Sequence, residues 1–136
     1  HNLVGIIRTG KEVEEAIVKI AAIRARSANV AVTGTRQFNP GFHLAFDLDN
    51  MLLVAESTAK SALLREESRG GHTRDDFPGR SSKWRQVNHI SSFDGKNVNV
   101  KVQPLPPIPK ELFDLFDIHE LEKYMTPEEI AKGGSN

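Results

Sequence analysis

From Pro40 to Glu67 the sequence holds one uninterrupted pattern. Leu44, Leu48, Met51, Leu52, Ala55, Ala59, Ala62 and Leu63 recur at three- and four-residue steps, and Asn39-Pro40 supplies a cap residue followed by a first-turn proline. The pattern predicts a helix of about 28 residues, roughly 42 Å long. It stops at Ser68-Arg69-Gly70-Gly71, where glycine is the expected residue just past a helix end. A helix this long with one apolar stripe must bury that stripe against other elements, which directs the chain toward a mainly α, bundle-type architecture.

Residues Lys11 to about Ala28 predict a second helix. Val13, Ala16, Ile17, Ile20, Ile23 and Ser27 form its apolar stripe, while Lys11, Glu12, Glu14, Glu15, Lys19 and Arg24 fill the other face. Thr9 or Gly10 caps it, and the early glutamates suit the positive end of the helix dipole. Ahead of it, Leu3-Val4-Gly5-Ile6-Ile7 reads as a strand or as the last turn of another helix. Two helices of unequal length cannot cover both stripes. The missing partner is built either from the short C-terminal pieces or from chain outside this sequence.

The rest is less helical. Residues 70–85 lack apolar periodicity and predict a loop held by polar contacts. Val87 to Phe93 and Val98 to Val102 flank Asp94-Gly95, a strong hairpin signal, with Val98, Val100 and Val102 alternating against polar neighbours. Pro104, Pro106, Pro107 and Pro109 force an extended surface crossing. Short helices are expected near Lys110 to Phe116, near His119 to Tyr124, and after Thr126-Pro127-Glu128-Glu129, a capping-box pattern. The expected domain organisation is therefore a helical bundle over 1–80, a hairpin extension over 81–103 and a proline-rich tail over 104–136.

Composition narrows the functions. At 136 residues the chain has one domain's worth of sequence, and without cysteine it has neither disulfides nor a thiolate metal site. Eighteen basic against eighteen acidic side chains leave no global field for nucleic acid or an anionic membrane, and no apolar run approaches a membrane span. The start at His1 rather than Met, and the polar end Gly133-Gly134-Ser135-Asn136, suggest a processed chain or a piece of a longer one. None of the five histidines stands at the i, i+3 or i, i+4 spacing of a helical metal site, so no metal is expected. No G-x-G-x-x-G, P-loop or G-x-S-x-G occurs.

The densest polar cluster is Arg65-Glu66-Glu67-Ser68-Arg69-Gly70-Gly71-His72-Thr73-Arg74-Asp75-Asp76-Phe77-Pro78. It reads first as an ion-paired loop that closes the long helix, its arginines satisfying the terminal carbonyls, and that docks the helix on a neighbour. Two other readings use the same residues. The arginines could grip a carboxylate while His72 moves a proton. Alternatively, the positive excess from Lys60 to Arg85, with Trp84 as a stacking group, could meet nucleic acid, but the carboxylates in the same stretch argue against it.

Glu67 to Pro78 also resembles the C-terminal region of the flavoprotein subunit of succinate dehydrogenase and fumarate reductase, whose members carry a Glu-Ser-Arg-Gly-Ala-His-x-Arg-x-Asp-Phe/Tyr-Pro stretch at the end of a long helix. Val4 to Thr9, the amphipathic 11–26 helix, Trp84 and the hairpin extend the resemblance over about Leu3 to Gln103. Gly71 replaces the commoner Ala, and Asp75 the commoner Glu. The resemblance implies a spectrin-repeat-like antiparallel bundle whose first helix largely precedes His1. It implies a parent enzyme that interconverts succinate and fumarate through FAD and passes electrons to an iron–sulfur subunit, then to quinone, peripheral to the cytoplasmic face of a bacterial inner membrane. No catalytic or cofactor-binding residue of the family falls in this stretch. Glu67, Ser68, Arg69, Gly70, His72, Arg74 and Asp76 are expected to dock the helical part on the flavin-binding domain, and the isolated chain is expected to be inactive and to self-associate through its exposed stripe. A stand-alone helical interaction module and the corresponding domain of L-aspartate oxidase are the alternatives.

Overall fold

The computed structural model describes residues 2–133. After strand β1 (Ile7–Arg8) comes helix α1 (Gly10–Ser27), and then helix α2 (Pro40–Leu64). Thr9 caps α1 through a reciprocal box: its Oγ1 accepts from the Glu12 N–H at 3.3 Å, and Glu12 Oε2 accepts from the Thr9 N–H at 2.7 Å. Asn39 caps α2, accepting from the Gly41 N–H, and Pro40 occupies its first turn.

The two helices run antiparallel, as their contacts show. Val13 near the start of α1 packs with Ala59 and Ala62 near the end of α2. Toward the other end, Arg24 pairs with Glu56 at 3.0 Å and Ser27 Oγ donates to Asp49 at 2.9 Å. The core is small. Val13 and Ala59 are fully buried, with Val4, Ile17, Ile20 and Leu63 packed around them. The alanines let the helix backbones approach closely at this end, whereas Leu44 and Met51, expected on the buried stripe, are largely exposed. The pair alone leaves much of that stripe uncovered.

Strand β2 (Thr73–Arg74) pairs in parallel with β1, with Ile7 opposite Thr73 and Arg8 opposite Arg74. Of the Leu3–Ile7 stretch, expected as a strand or the last turn of a helix, only Ile7 lies in a strand, which runs on to Arg8. After the short helix α3 (Ser82–Arg85), strands β3 (Val87–Phe93) and β4 (Val98–Pro104) form the expected antiparallel hairpin, in a register that sets Phe93 opposite Val98 and Val87 opposite Pro104. Gly95 takes φ +93 in its turn, a conformation that favours glycine. Lys60 Nζ on α2 donates to the Val98 carbonyl at 2.7 Å and fixes the hairpin against the helix.

The tail adds α4 (Lys110–Phe113), α5 (Ile118–Glu122) and α6 (Pro127–Ala131), the last opened by the Thr126–Glu129 capping box. Glu129 also accepts from Arg85 Nε at 2.9 Å, so the residue that starts α6 also ties it to α3. Of the expected loose end Gly133-Gly134-Ser135-Asn136, the last three residues lie outside the described range, as does His1.

Candidate functional site

The long helix ends three residues earlier than the sequence pattern predicts. It stops at Leu64, Arg65 turns to an extended conformation at ψ 100, and glycine is not its cap. The reason lies in Arg74. Its Nη1 donates to the carbonyls of Ala62 and Leu63 at 3.0 Å and of Arg65 at 3.3 Å, which are groups that a glycine-based cap would otherwise satisfy. Gly70, at φ +58, instead serves the two-residue turn that joins Arg69 to His72, whose backbone groups exchange hydrogen bonds of 2.8 and 3.1 Å.

Arg74 is 2% exposed, and its other edge grips Asp76 in a fork, Nε to Oδ1 at 2.8 Å and Nη2 to Oδ2 at 2.7 Å. Asp76 Oδ2 in turn accepts from the N–H of Gly10, the first residue of α1, at 3.0 Å. The sequence of charges runs from the negative end of α2 through guanidinium and carboxylate to the positive end of α1, each step attractive. The hydrogen bonds from Arg74 hold the Asp76 carboxyl well below its usual range against the opposing effect of burial, and the same pair raises the Arg74 guanidinium.

Gly10 has a structural reason to be glycine. A Cβ there would sit 2.8 Å from Arg74 Nη2 and 3.0 Å from Asp76 Oδ2, and the guanidinium is too fully bonded to move aside freely. Ala at an ordinary helical glycine site stabilises by roughly 0.4–1 kcal/mol. Gly10→Ala is expected to do the opposite, lowering stability by about 1–2 kcal/mol in urea unfolding. A stabilised variant would show that the Arg74 fork is loose.

A second node is Glu67, whose side chain is fully buried. Oε1 accepts from Arg65 Nη1 at 2.6 Å and Arg69 Nε at 3.1 Å, and Oε2 accepts from Arg69 Nη2 at 3.1 Å and from the Ser81 N–H at 2.9 Å. Burial opposes its ionisation, but Arg69, the Ser81 amide and Arg65 outweigh that and hold the carboxyl below its usual value. Ser68 closes the loop on itself: Oγ accepts from the Arg74 N–H at 2.8 Å and lies 3.1 and 3.0 Å from the carbonyls of Arg74 and Phe77.

His72 Nε2 lies 3.0 Å from the Arg65 carbonyl, which can only accept, so this nitrogen carries the hydrogen. Burial, followed by the nearby Arg8, Arg65 and Arg74 charges, lowers its pKa despite that hydrogen bond, and the ring is neutral at pH 7. In this structure the ring braces the turn that follows α2. Trp84 is 4% exposed, with Lys83 Nζ 4.6 Å from its ring centroid and His89 edge-on to it, so its faces are not offered to a base. Among the described residues no three His, Cys, Asp or Glu side chains converge as metal ligands.

Every residue expected to dock thus lies in this one loop, with Glu67, Ser68, Arg74 and Asp76 each bonded within the chain. Sequence spacing missed Gly10 and Ser81, both of which join the loop through their backbone amides. A signal for the first was present in a glycine directly after the cap residue Thr9, at a position where a helix has no need of one.

The family model described as the fumarate reductase flavoprotein C-terminal region matches residues 1–122. The chain belongs to that family. This flavoprotein C-terminal domain is 42% identical over 83 residues to the fumarate reductase flavoprotein subunit of Helicobacter pylori, a match covering 60% of the chain and 12% of that protein. It is 32% identical over 117 residues to the succinate dehydrogenase flavoprotein subunit of Coxiella burnetii, covering 81% of the chain and 20% of that protein. A solved structure of Mycobacterium smegmatis Sdh1 in complex with UQ1 superimposes with a TM-score of 0.81 at 46% identity, over 96% of the chain and 23% of the Sdh1 chain. The domain therefore spans under a quarter of the length of each of these relatives. Its buried polar groups in the 65–79 loop are turned inward on one another, which does not fit a flavin seat, and no step of flavin chemistry follows from these residues.

The buried loop makes stability depend on pH with one sign. His72 and His89 have folded pKa values below the usual 6.5, and Glu67, Asp76 and Glu129 fall below the usual carboxylate values. In each case the unfolded chain binds the proton more readily, so stability is fully present above the unfolded pKa and is lost as pH falls. Melting temperature should be level above pH 7, begin to decline below about 6.5 as the histidines contribute, and fall more steeply below about 4.5 as the carboxylates do. A melting temperature that rises on going from pH 7 to 5 would contradict the neutral brace assigned to His72.

Proposed function

We propose that this chain is the C-terminal part of a flavoprotein subunit that interconverts succinate and fumarate with FAD and hands electrons to an iron–sulfur subunit. The agreement with Sdh1, 46% identical over nearly the whole chain, supports this reading most directly. Within it the chain is a structural part, divided into a bundle over 1–80, a hairpin over 81–103 and a tail over 104–136. The bundle is spectrin-repeat-like, and a further helix from preceding chain covers the apolar groove of about 430 Å³ that Val4, Ala16, Ile20 and Ile23 help to line. Left uncovered, that face is where the isolated chain would self-associate.

Glu67, Ser68, Arg69, Gly70, His72, Arg74 and Asp76 hold the helical part against the flavin-binding part of the same polypeptide. They act indirectly. Buried Glu67 and Arg74 set the loop's shape, and its outer face, where Arg69, Gly70, Thr73 and Arg80 help line an open groove of about 670 Å³, makes the contact. No helix among the described residues is long and apolar enough to cross a membrane, in keeping with a peripheral place at the cytoplasmic face of the inner membrane.

The test is to express the longer reading frame. Bound flavin absorbance together with reduction of a dye by succinate is the expected result. Oxidation of L-aspartate in place of succinate would assign the aspartate oxidase branch, and an initiator codon at or just before His1 would favour an independent interaction module. His72→Ala with Arg74→Ala should reduce assembly and flavin content; loss of turnover with both intact would overturn the docking role.

A further inference from the structure

Of the arginines around the 65–79 loop, Arg65 and Arg69 share Glu67, and Arg74 holds Asp76. Arg80 makes no ion pair among the described residues, but it is exposed and water meets its charge. Arg8 on β1 differs from all of these. It is half-buried and makes no ion pair among the described residues. Its Nη2 donates to the Gly71 carbonyl at 3.2 Å and, weakly, to the Ile6 carbonyl at 3.4 Å, while its Nε is buried without a hydrogen-bond partner. Both acceptors are neutral.

A guanidinium drawn partly out of water needs a hydrogen-bonded counter-charge to offset the cost, and folded chains seldom leave a buried polar group unmet. Burial and the like charge of Arg74 lower the Arg8 pKa, and no carboxylate opposes them. The nearby acids are directed elsewhere. Glu14, Glu66 and Asp76 act on Arg74. Asp75 follows Arg74 along the strand direction, so alternation turns it away from the face that Arg74 shares with Arg8, its partner across the two strands. The surface beside Arg8 is open: Ile6 and Ile7 are 70% and 65% exposed, and a Cβ at Gly70 or Gly71 would meet nothing within 4 Å.

We propose that Arg8 is one half of an ion pair whose other half is an Asp or Glu side chain of the flavin-binding part of the same polypeptide, seated over Ile6 and Ile7 beside the Gly70–Gly71 turn. This rests on the reading above, in which Gly70 and Thr73 belong to the face that meets that part. Arg8 bonds the residue next to Gly70, and its strand pairs with Thr73, so the surface is continuous with that face. A free anion fits less well, because it would leave both isoleucines in water. Docking and neutralisation of this loop then become one event: the charge on Arg8 is met only when the two parts are closed in register.

The experiment uses the full-length subunit carrying Arg8→Lys, treated with a water-soluble carbodiimide, which joins an amine to a carboxylate that touches it. The expected product links residue 8 to an Asp or Glu in the chain that precedes this domain. Lys60, 2.6 Å from Glu56, links in the same sample and shows that the chemistry has run. Arg8→Gln should lower the flavin content of the purified subunit by about twofold or more, with a smaller loss for Arg8→Lys. Arg8→Glu combined with replacement of the linked carboxylate by Arg should restore it. A link from residue 8 to Glu14, Glu66 or Asp75, to a second copy or to another polypeptide, no link where Lys60 has reacted, full flavin content in Arg8→Gln, or no rescue by the charge swap would each overturn the inference. Flavin content and succinate turnover of the unaltered subunit are measured alongside, so failure of the proposed function shows there, whereas the partner of residue 8 is read from the linked peptide itself.

Discussion

Arg74→Ala is expected to lower stability by about 2–4 kcal/mol, through the buried helix-end carbonyls left without a donor rather than through a stranded charge, because the Asp76 side chain is 36% exposed. Three carbonyls at the end of α2 lose a donor together, Asp76 loses the guanidinium fork, and a cavity opens beneath Phe77, whose ring centroid lies 4.9 Å from the guanidinium carbon. Against a typical total of 5–15 kcal/mol this is a large fraction, and the melting temperature should drop on the order of 10 °C or more. Arg74→Lys should recover little, because an ammonium cannot make the two-pronged contact with Asp76 while also reaching the helix end. The check is denaturant unfolding of both variants, combined with Asp76→Asn in a double-mutant cycle. Coupling near zero between the two positions would mean that the fork contributes nothing and that Arg74 acts only as the cap of α2.

Glu67 should rank with it. Glu67→Ala leaves Arg65 and Arg69 facing each other without a counter-charge and the Ser81 amide without an acceptor, at a site where the side chain is fully buried. A loss of about 3–5 kcal/mol is expected. Glu67→Gln keeps the shape and part of the hydrogen bonding but not the charge, so it should fall between the native chain and Glu67→Ala, and it should flatten the acid limb of the pH profile because one depressed carboxyl has been removed. An unaltered acid limb in Glu67→Gln would move the pH dependence onto Asp76 and Glu129.

Local features were legible in the sequence, whereas distant pairings were not. The cap at Thr9 followed from Thr9 and Glu12, the hairpin from Asp94-Gly95 between alternating valines, and the start of α6 from Thr126 and Glu129, since each signal lies within a few residues of its structural consequence. The end of α2 was misplaced because its cap comes from Arg74, ten residues beyond the last helical residue, and nothing in the spacing reveals which of several arginines turns back. The ion-paired loop was visible as a cluster, but its role in joining the two helices depends on Asp76 meeting an amide 66 residues away. Trp84 could be read as an open stacking surface because burial is a tertiary property.

The Gly10–Asp76–Arg74 chain also works as a register gauge. The Gly10 amide meets Asp76 only if α1 begins where it does, and Arg74 meets the Ala62 and Leu63 carbonyls only if α2 ends where it does. A one-residue slide of α1 would bring Thr9 or Lys11 to that position, each with a Cβ where 3.0 Å or less is free. Misaligned helix pairs would thus be penalised at one point that senses both, and the loop can close only on the correctly aligned pair.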